Sequence, residues 1–235
     1  MTHLPASFHI LPDSLGPLVR EAVTLPWSGV QIQVTRPVDT DALLDQAQSD
    51  PEQNLPYWAE VWPSGIALAD AILQRPDAVN AKPVFELGCG LGITAVAAAH
   101  AGADLTISDY APDSLALALN NLRQNGGFAN RAIQLNWRDP GAEFWQMVGA
   151  GFPVVLAADV LYESRDIEPL LEFMERIVAP GGLLWLAEPG REVAGRFLAA
   201  ASERGWQGER TEHPGPWPDP REEGVVVRLH RLRRP

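Results

Sequence analysis

The sequence predicts an α/β fold: a mostly parallel sheet with helices on both faces, ending in an antiparallel hairpin. Three observations carry that expectation. From residue 83 onward short apolar runs alternate with stretches of helical periodicity, a glycine-rich turn follows the first of those runs, and the last two strand-like segments have no helix between them.

Taken in order, residues 1–55 show no sustained helical periodicity, yet Val30-Gln31-Ile32-Gln33-Val34 alternates apolar and polar side chains as a half-buried strand does. Pro26-Trp27-Ser28-Gly29 before it reads as a turn. The stretch is expected to be a strand-containing N-terminal extension packed on a main domain of residues 56–235, because it is too short and polar to fold alone. Ile66, Ala69, Ile72 and Leu73 then fall at helical spacing until Pro76 stops the helix. Residues 83–87 form a short apolar strand, and residues 93–100 a nearly all-apolar helix closed by Gly102. Residues 105–108 give the next strand, followed by a helix entered at Pro112 with Leu115, Leu119 and Leu122 on one face. Further strands are expected over 132–135 and 152–158. A helix from about 166 to 178 leads through Pro180-Gly181-Gly182 to a strand over 183–187, and residues 191–204 give a last helix ended by Gly205. Segments 206–211 and 224–232 read as strands joined by the proline-rich stretch 213–220. A parallel return needs a crossover of roughly a dozen residues or more, usually a helix, so these two must run antiparallel.

Composition narrows the function. A chain of 235 residues that is 46% hydrophobic can bury one α/β domain with an appendage, and two independent domains would be a squeeze. The start has no basic n-region and no apolar run approaches the roughly 18 residues a membrane span needs, so a soluble, unprocessed chain is expected, with no membrane partner. Cys89, the single cysteine, cannot close an internal disulfide and fits a reducing compartment, hence a cytoplasmic location. A formal charge of −12 argues against nucleic acid, whose binding is driven by Lys and Arg displacing counterions. Arg228, Arg231, Arg233 and Arg234 near the end are read as a solvated chain end, with a contact patch as the alternative. The histidines and the cysteine offer no recognisable metal-ligand spacing, so no metal is expected.

The chemistry concentrates on Glu86-Leu87-Gly88-Cys89-Gly90-Leu91-Gly92, which follows a strand and opens a helix. There backbone N–H groups and close main-chain approach can serve a ligand. The turn is Gly-x-Gly-x-Gly; the dinucleotide pattern Gly-x-Gly-x-x-Gly is not met, since Ile93 stands in its last place. Glu86 precedes the turn, and Asp109 ends the second strand of the domain, where a carboxylate can accept both ribose hydroxyls of an adenosine. The combination points to a nucleoside cofactor. Asp109 taken alone could instead cap the helix that starts at Pro112. Trp137, after the third strand in Leu135-Asn136-Trp137, could lie against an adenine face or be a core or surface tryptophan.

The run Pro56-Tyr57-Trp58-Ala59-Glu60-Val61-Trp62-Pro63-Ser64-Gly65, the turn Glu86-Leu87-Gly88-Cys89-Gly90, Asn136-Trp137, and Ala158-Asp159-Val160-Leu161-Tyr162-Glu163 together resemble the seven-β-strand protein-lysine methyltransferases of methyltransferase family 16. Pro189-Gly190-Arg191 is also similar to bacterial members grouped with the methyltransferase of the electron-transfer flavoprotein β-subunit. The resemblance runs from about Pro56 to the end. It implies the Rossmann-like seven-stranded class I methyltransferase fold, whose layout has the terminal antiparallel hairpin, and S-adenosyl-L-methionine as cofactor. It further implies that Trp62 contacts the cofactor, the main chain of Gly88, Cys89 and Gly90 its methionine part, Asp109 the ribose and Trp137 the adenine. Ala158 would line the methionine side, with Asp159 and Tyr162 facing the acceptor nitrogen. Asn136 stands where many members carry Asp, which weakens the base contact of that strand end.

Methyl transfer from a sulfonium is an in-line displacement that chiefly requires alignment. The acceptor is harder, because a lysine amine of pKa about 10.4 must lose its proton before it is nucleophilic. Asp159 can attract the ammonium, but the same charge raises the amine's pKa, so positioning is its expected role, with the proton leaving through water, the carboxylate or the Tyr162 hydroxyl. Asp159 as a helix cap and Tyr162 as a core aromatic are the plainer alternatives. The expected acceptor is a lysine of a partner protein. A small amine such as a nicotinamide-like heterocycle, or a catalytically silent module that binds S-adenosylmethionine and docks a partner, are the other readings.

Overall fold

In the computed structural model, which describes residues 11–40, 43 and 55–235, two strands precede the main sheet. Strand β1 (Leu18–Thr24) pairs antiparallel with β2 (Gln31–Pro37), and the turn between them closes through Leu25 N to Val30 O at 2.8 Å. Ile32, Val34, Val23 and Leu25 point inward from this hairpin and are buried. The expected strand at 30–34 is therefore present, and its partner β1 is an addition: Arg20 and Glu21 interrupt its apolar pattern.

The domain proper begins with helix α1 (Pro63–Gln74), which has proline in its first turn, where the missing N–H costs nothing. Then come β3 (Pro83–Leu87), α2 (Ile93–His100), β4 (Asp104–Asp109), α3 (Pro112–Gln124) and β5 (Arg131–Gln134). Helix α4 (Gly141–Val148) was not anticipated; it is only 8 residues long, and buries just Phe144 and Val148. Strand β6 (Phe152–Ala158), helix α5 (Ile167–Ile177), strand β7 (Val178–Glu188) and helix α6 (Glu192–Glu203) follow, and β8 (Gln207–His213) and β9 (Val227–Arg233) finish the chain. Strand β7 starts earlier than the sequence suggests. The Pro180-Gly181-Gly182 stretch remains in the sheet because Gly181 N donates to Arg234 O at 3.2 Å and Arg234 N to Gly182 O at 3.1 Å, partners that local sequence does not reveal.

The seven main strands lie in the order β5-β4-β3-β6-β7-β9-β8. All neighbours from β5 to β7 are parallel, and β9 is antiparallel to both β7 and β8. The expected mostly parallel sheet with an antiparallel end is the observed one. Helices α1, α2 and α3, with the hairpin, cover one face; α4, α5 and α6 cover the other around Phe85, Phe144, Phe152 and Phe173. The chain runs outward from β3 to β5 and returns to start again at β6. Open parallel sheets place ligands at the carboxyl ends of the strands at such a reversal. Among the described residues no helix is long and apolar enough to cross a membrane.

Candidate active site

A cavity of about 330 Å³ opens at that reversal, between the turn after β3 and the segment after β6. Trp62, Glu86, Gly88, Cys89, Gly90, Asp109, Trp137, Ala158, Asp159 and Tyr162, all singled out from sequence, line it. Asn136 does not: its Oδ1 accepts from Arg138 N at 3.0 Å, within the loop that carries Trp137.

The glycine turn is built from both sides. Cys89 N donates to Ser108 O at 2.9 Å, Ser114 Oγ to Gly90 O at 3.0 Å and Asn121 Nδ2 to Leu91 O at 2.9 Å, so β4 and α3 hold its backbone. Gly92 has φ +78°, and a Cβ there would lie 2.9 Å from Ala118 Cα, so only glycine lets α2 start this close to α3. Ser114 and Asn121 were not foreseen as part of the site. They lie on α3, and only the packing of that helix against the turn reveals them.

Two carboxylates stand at this end. Asp109 accepts from Gly90 N at 2.9 Å through Oδ2 and from Ala111 N at 3.0 Å through Oδ1. Burial raises its carboxyl above the usual range, opposed by the hydrogen bonds from Gly90 and Ala111 and by Ser114. Glu86 is buried, and among the described residues no donor reaches its Oε2. Burial, with the charge of Asp109, holds its carboxyl well above the usual range. Two buried acids facing one cavity, one with an unsatisfied oxygen, suit a ligand that brings hydroxyl and ammonium donors. S-adenosylmethionine, with its ribose and its amino-acid part, fits that requirement. The Cys89 thiol is pushed well up by burial and the neighbouring acids, which makes it inert as a nucleophile.

At the other end Asp159 follows β6 with φ +56°, a conformation uncommon for a residue with a side chain and frequent where strain is stored at functional sites. Its N donates to Ala187 O at 2.9 Å, extending the pairing with β7 by one residue. Its Oδ1 accepts from Arg191 Nε at 3.2 Å, and Ser64 Oγ lies 3.5 Å from Oδ2. Burial raises its carboxyl above the usual range, and Arg191 and Ser64 pull it back. The Tyr162 hydroxyl is pushed up to about 12, by burial first and then by Asp166, Glu163 and Asp109. It keeps its proton near neutral pH and is a hydrogen-bonding group there, not a base. Tyr57 lies edge-on to both Tyr162 (5.6 Å between ring centres) and Trp62 (6.2 Å), and its carbonyl accepts from Trp62 Nε1 at 2.7 Å. Tyr57 was not nominated from sequence, although the run that contains it was noticed.

Residues 50–203 match the sequence model of a family described as lysine methyltransferase. The chain is 40% identical over 146 residues to the electron transfer flavoprotein beta subunit lysine methyltransferase of Rattus norvegicus, covering 58% of this chain and 51% of that protein. It is 32% identical over 140 residues to the EEF1A lysine methyltransferase 3 of Mus musculus, covering 58% of each. The chain thus spans about half the length of the curated relatives it matches. In fold it is similar to the N-methyltransferase NodS from Bradyrhizobium japonicum WM9, solved in complex with S-adenosyl-l-homocysteine, with a TM-score of 0.58 at 18% identity over 83% of this chain and 98% of that one.

Proposed function

The chain belongs to the lysine methyltransferase family, and we propose that it transfers the methyl group of S-adenosylmethionine to the side-chain amine of a lysine in a partner protein. The observation that carries the proposal is one cavity lined both by Glu86 of β3 and Asp109 of β4 and by Asp159 and Tyr162, which follow β6. The relatives named as protein-lysine methyltransferases support a lysine acceptor.

In this reading Asp109 accepts the ribose hydroxyls and Trp137 lies against the adenine. The main chain of Gly88, Cys89 and Gly90, with Glu86, meets the methionine part, and Trp62 and Ala158 close the wall beside it. Bound S-adenosylmethionine supplies a methyl already activated by its sulfonium, so alignment is the main task left to the protein. Asp159 orients the acceptor nitrogen, and Tyr162, protonated, contacts it through its hydroxyl. The acceptor's proton leaves to water. Asn136 shapes the Trp137 loop in place of contacting the base itself. Residues 56–235 form the catalytic unit and, of the extension expected over residues 1–55, the described part carrying β1 and β2 is fastened to it; residues 1–10, 41–42 and 44–54 lie outside the described residues. A cytoplasmic location suits a chain whose one cysteine is a buried thiol.

The test is incubation of the protein with labelled S-adenosylmethionine and a lysate from cells lacking it, then hydrolysis of the labelled protein. Label in methyllysine supports the proposal; label confined to small molecules, or none, sinks it.

A further inference from the structure

Arg191 lies behind the acceptor end of the cavity, outside its lining, with Nε and Nη2 each 3.2 Å from Oδ1 of Asp159. We propose that Arg191 is the counter-charge of the acceptor site: it pairs with one oxygen of Asp159, so that the carboxylate positions the acceptor without net negative charge and the nitrogen is held as the free amine. This inference rests on the lysine-methyltransferase reading above.

Both partners stand on a well-held backbone. Asp159 has its backbone held by its amide on Ala187 and by its left-handed conformation. The backbone leading to Arg191 is held by a buried network at the end of β7, while the Arg191 side chain itself is 42% exposed. Glu188, 1% exposed, accepts from Gly190 N and faces His230 Nε2 at 3.0 Å, with Arg228 at 3.9 Å. Gly190 has φ +90°, and a Cβ there would meet the Arg228 guanidinium at 3.2 Å, so the loop reaches Arg191 by a path that glycine alone takes without strain.

The chemistry needs the second charge. A carboxylate only 10% exposed, facing an amine alone, would favour the ammonium and oppose the proton loss that makes the nitrogen nucleophilic. A guanidinium on the far oxygen offsets that attraction and leaves Oδ2, with Ser64 at 3.5 Å, to accept from a neutral N–H. The other groups acting on Asp159 do not undo this. Glu188 lies behind it with His230 and Arg228 as partners, and Tyr162 on the same cavity wall is uncharged near neutral pH.

Sinefungin, a cofactor analogue with an amine-bearing carbon in place of the methylated sulfonium, puts an ionisable nitrogen at the transfer point; S-adenosylhomocysteine has none. Titration calorimetry of both at pH 7.5 compares the wild type with Arg191→Gln, Arg191→Lys and Asp159→Asn/Arg191→Gln. The expected result is S-adenosylhomocysteine affinity within about threefold throughout, and sinefungin affinity about tenfold higher in Arg191→Gln. Arg191→Lys keeps the wild-type ratio, and the double variant loses the gain. A sinefungin-to-S-adenosylhomocysteine ratio unchanged in Arg191→Gln, or both affinities falling together, overturns the proposal. Failure of the wild type to bind either analogue is a different result: it overturns the methyltransferase reading, and this inference with it.

Discussion

Arg138 and Asp166 form a two-point ion pair, with Nε at 2.7 Å and Nη2 at 3.0 Å from the two carboxylate oxygens, and the Asp166 side chain is fully buried. The pair ties the loop after β5, which carries Trp137, to the residues that enter α5 just beyond Asp159 and Tyr162. Two walls of the cavity are thereby held at a fixed spacing.

Removing one partner of a buried pair costs more than the pair contributes, because the other charge is left without its counter-ion. Asp166→Asn is expected to destabilise the fold by about 3 kcal/mol. Urea unfolding checks this; a loss under about 1 kcal/mol, the range of surface pairs, would show that the bridge is not strained by burial.

Asp109 holds the turn and, in the proposed function, the ligand as well. Asp109→Ala removes two backbone contacts along with the proposed ribose contact, and should weaken S-adenosylmethionine binding about 100-fold, a loss of roughly 2.7 kcal/mol. Calorimetry on the folded variant decides it, and unchanged affinity would remove Asp109 from the cofactor site.

Glu86 should show a trade between stability and binding. Its folded carboxyl sits above its unfolded value, so the folded chain holds the proton longer, and stability falls as pH rises from about 4.5 through the folded value. Glu86→Gln removes that penalty. The apo variant is expected to melt a few °C higher, about 2–4 °C, at pH 8 while binding S-adenosylmethionine about tenfold more weakly. A variant that melts lower, or binds as well, contradicts the role assigned to Glu86.

Most of the sheet was legible because its strands are short, apolar and bracketed by turn residues; the bounds of β3, α2 and β6 coincide with the expected ones. Elements that announce themselves less were not. In β1 the pair Arg20 and Glu21 obscures a strand that is stabilised by its partner, and α4 is anchored by only two buried side chains. The position of β9 between β7 and β8 depends on long-range pairing that no local pattern encodes. At the site, residues on the strand ends could be nominated because the fold fixes where those ends meet. Arg191 and Ser64 stand in runs that the sequence brings to notice, but their pairing with Asp159 is not legible there, since those contacts cross 32 and 95 residues of chain.

His213 and Asp70 predict an acid-sensitive attachment of the N-terminal hairpin. Asp70 is buried, accepts from Trp27 N at 2.6 Å and Ser28 N at 2.8 Å, and lies 3.2 Å from His213 Nε2, while the Trp27 and His213 rings stack at 3.6 Å. Burial lowers the His213 imidazole below its ordinary value, against the pull of Asp70. The unfolded chain therefore takes up the proton first, and stability falls as pH drops through about 6.5 toward the folded value. Melting temperature measured from pH 7.5 to 5.5 should fall in the wild type and fall less in His213→Gln. Equal slopes would assign the acid sensitivity to other groups.

In the proposed function the cavity residues divide the work, Glu86 and Asp109 holding the cofactor and Asp159 the acceptor. The ratio of labelled methyl transfer to S-adenosylmethionine affinity in Asp159→Asn, with proteins of a lysate from cells lacking the chain as acceptor, decides this division. The expected result is affinity within a few-fold of wild type and transfer lower by about 100-fold, a loss of roughly 2.7 kcal/mol of transition-state stabilisation. Equal losses of binding and transfer, or transfer undiminished, would contradict it.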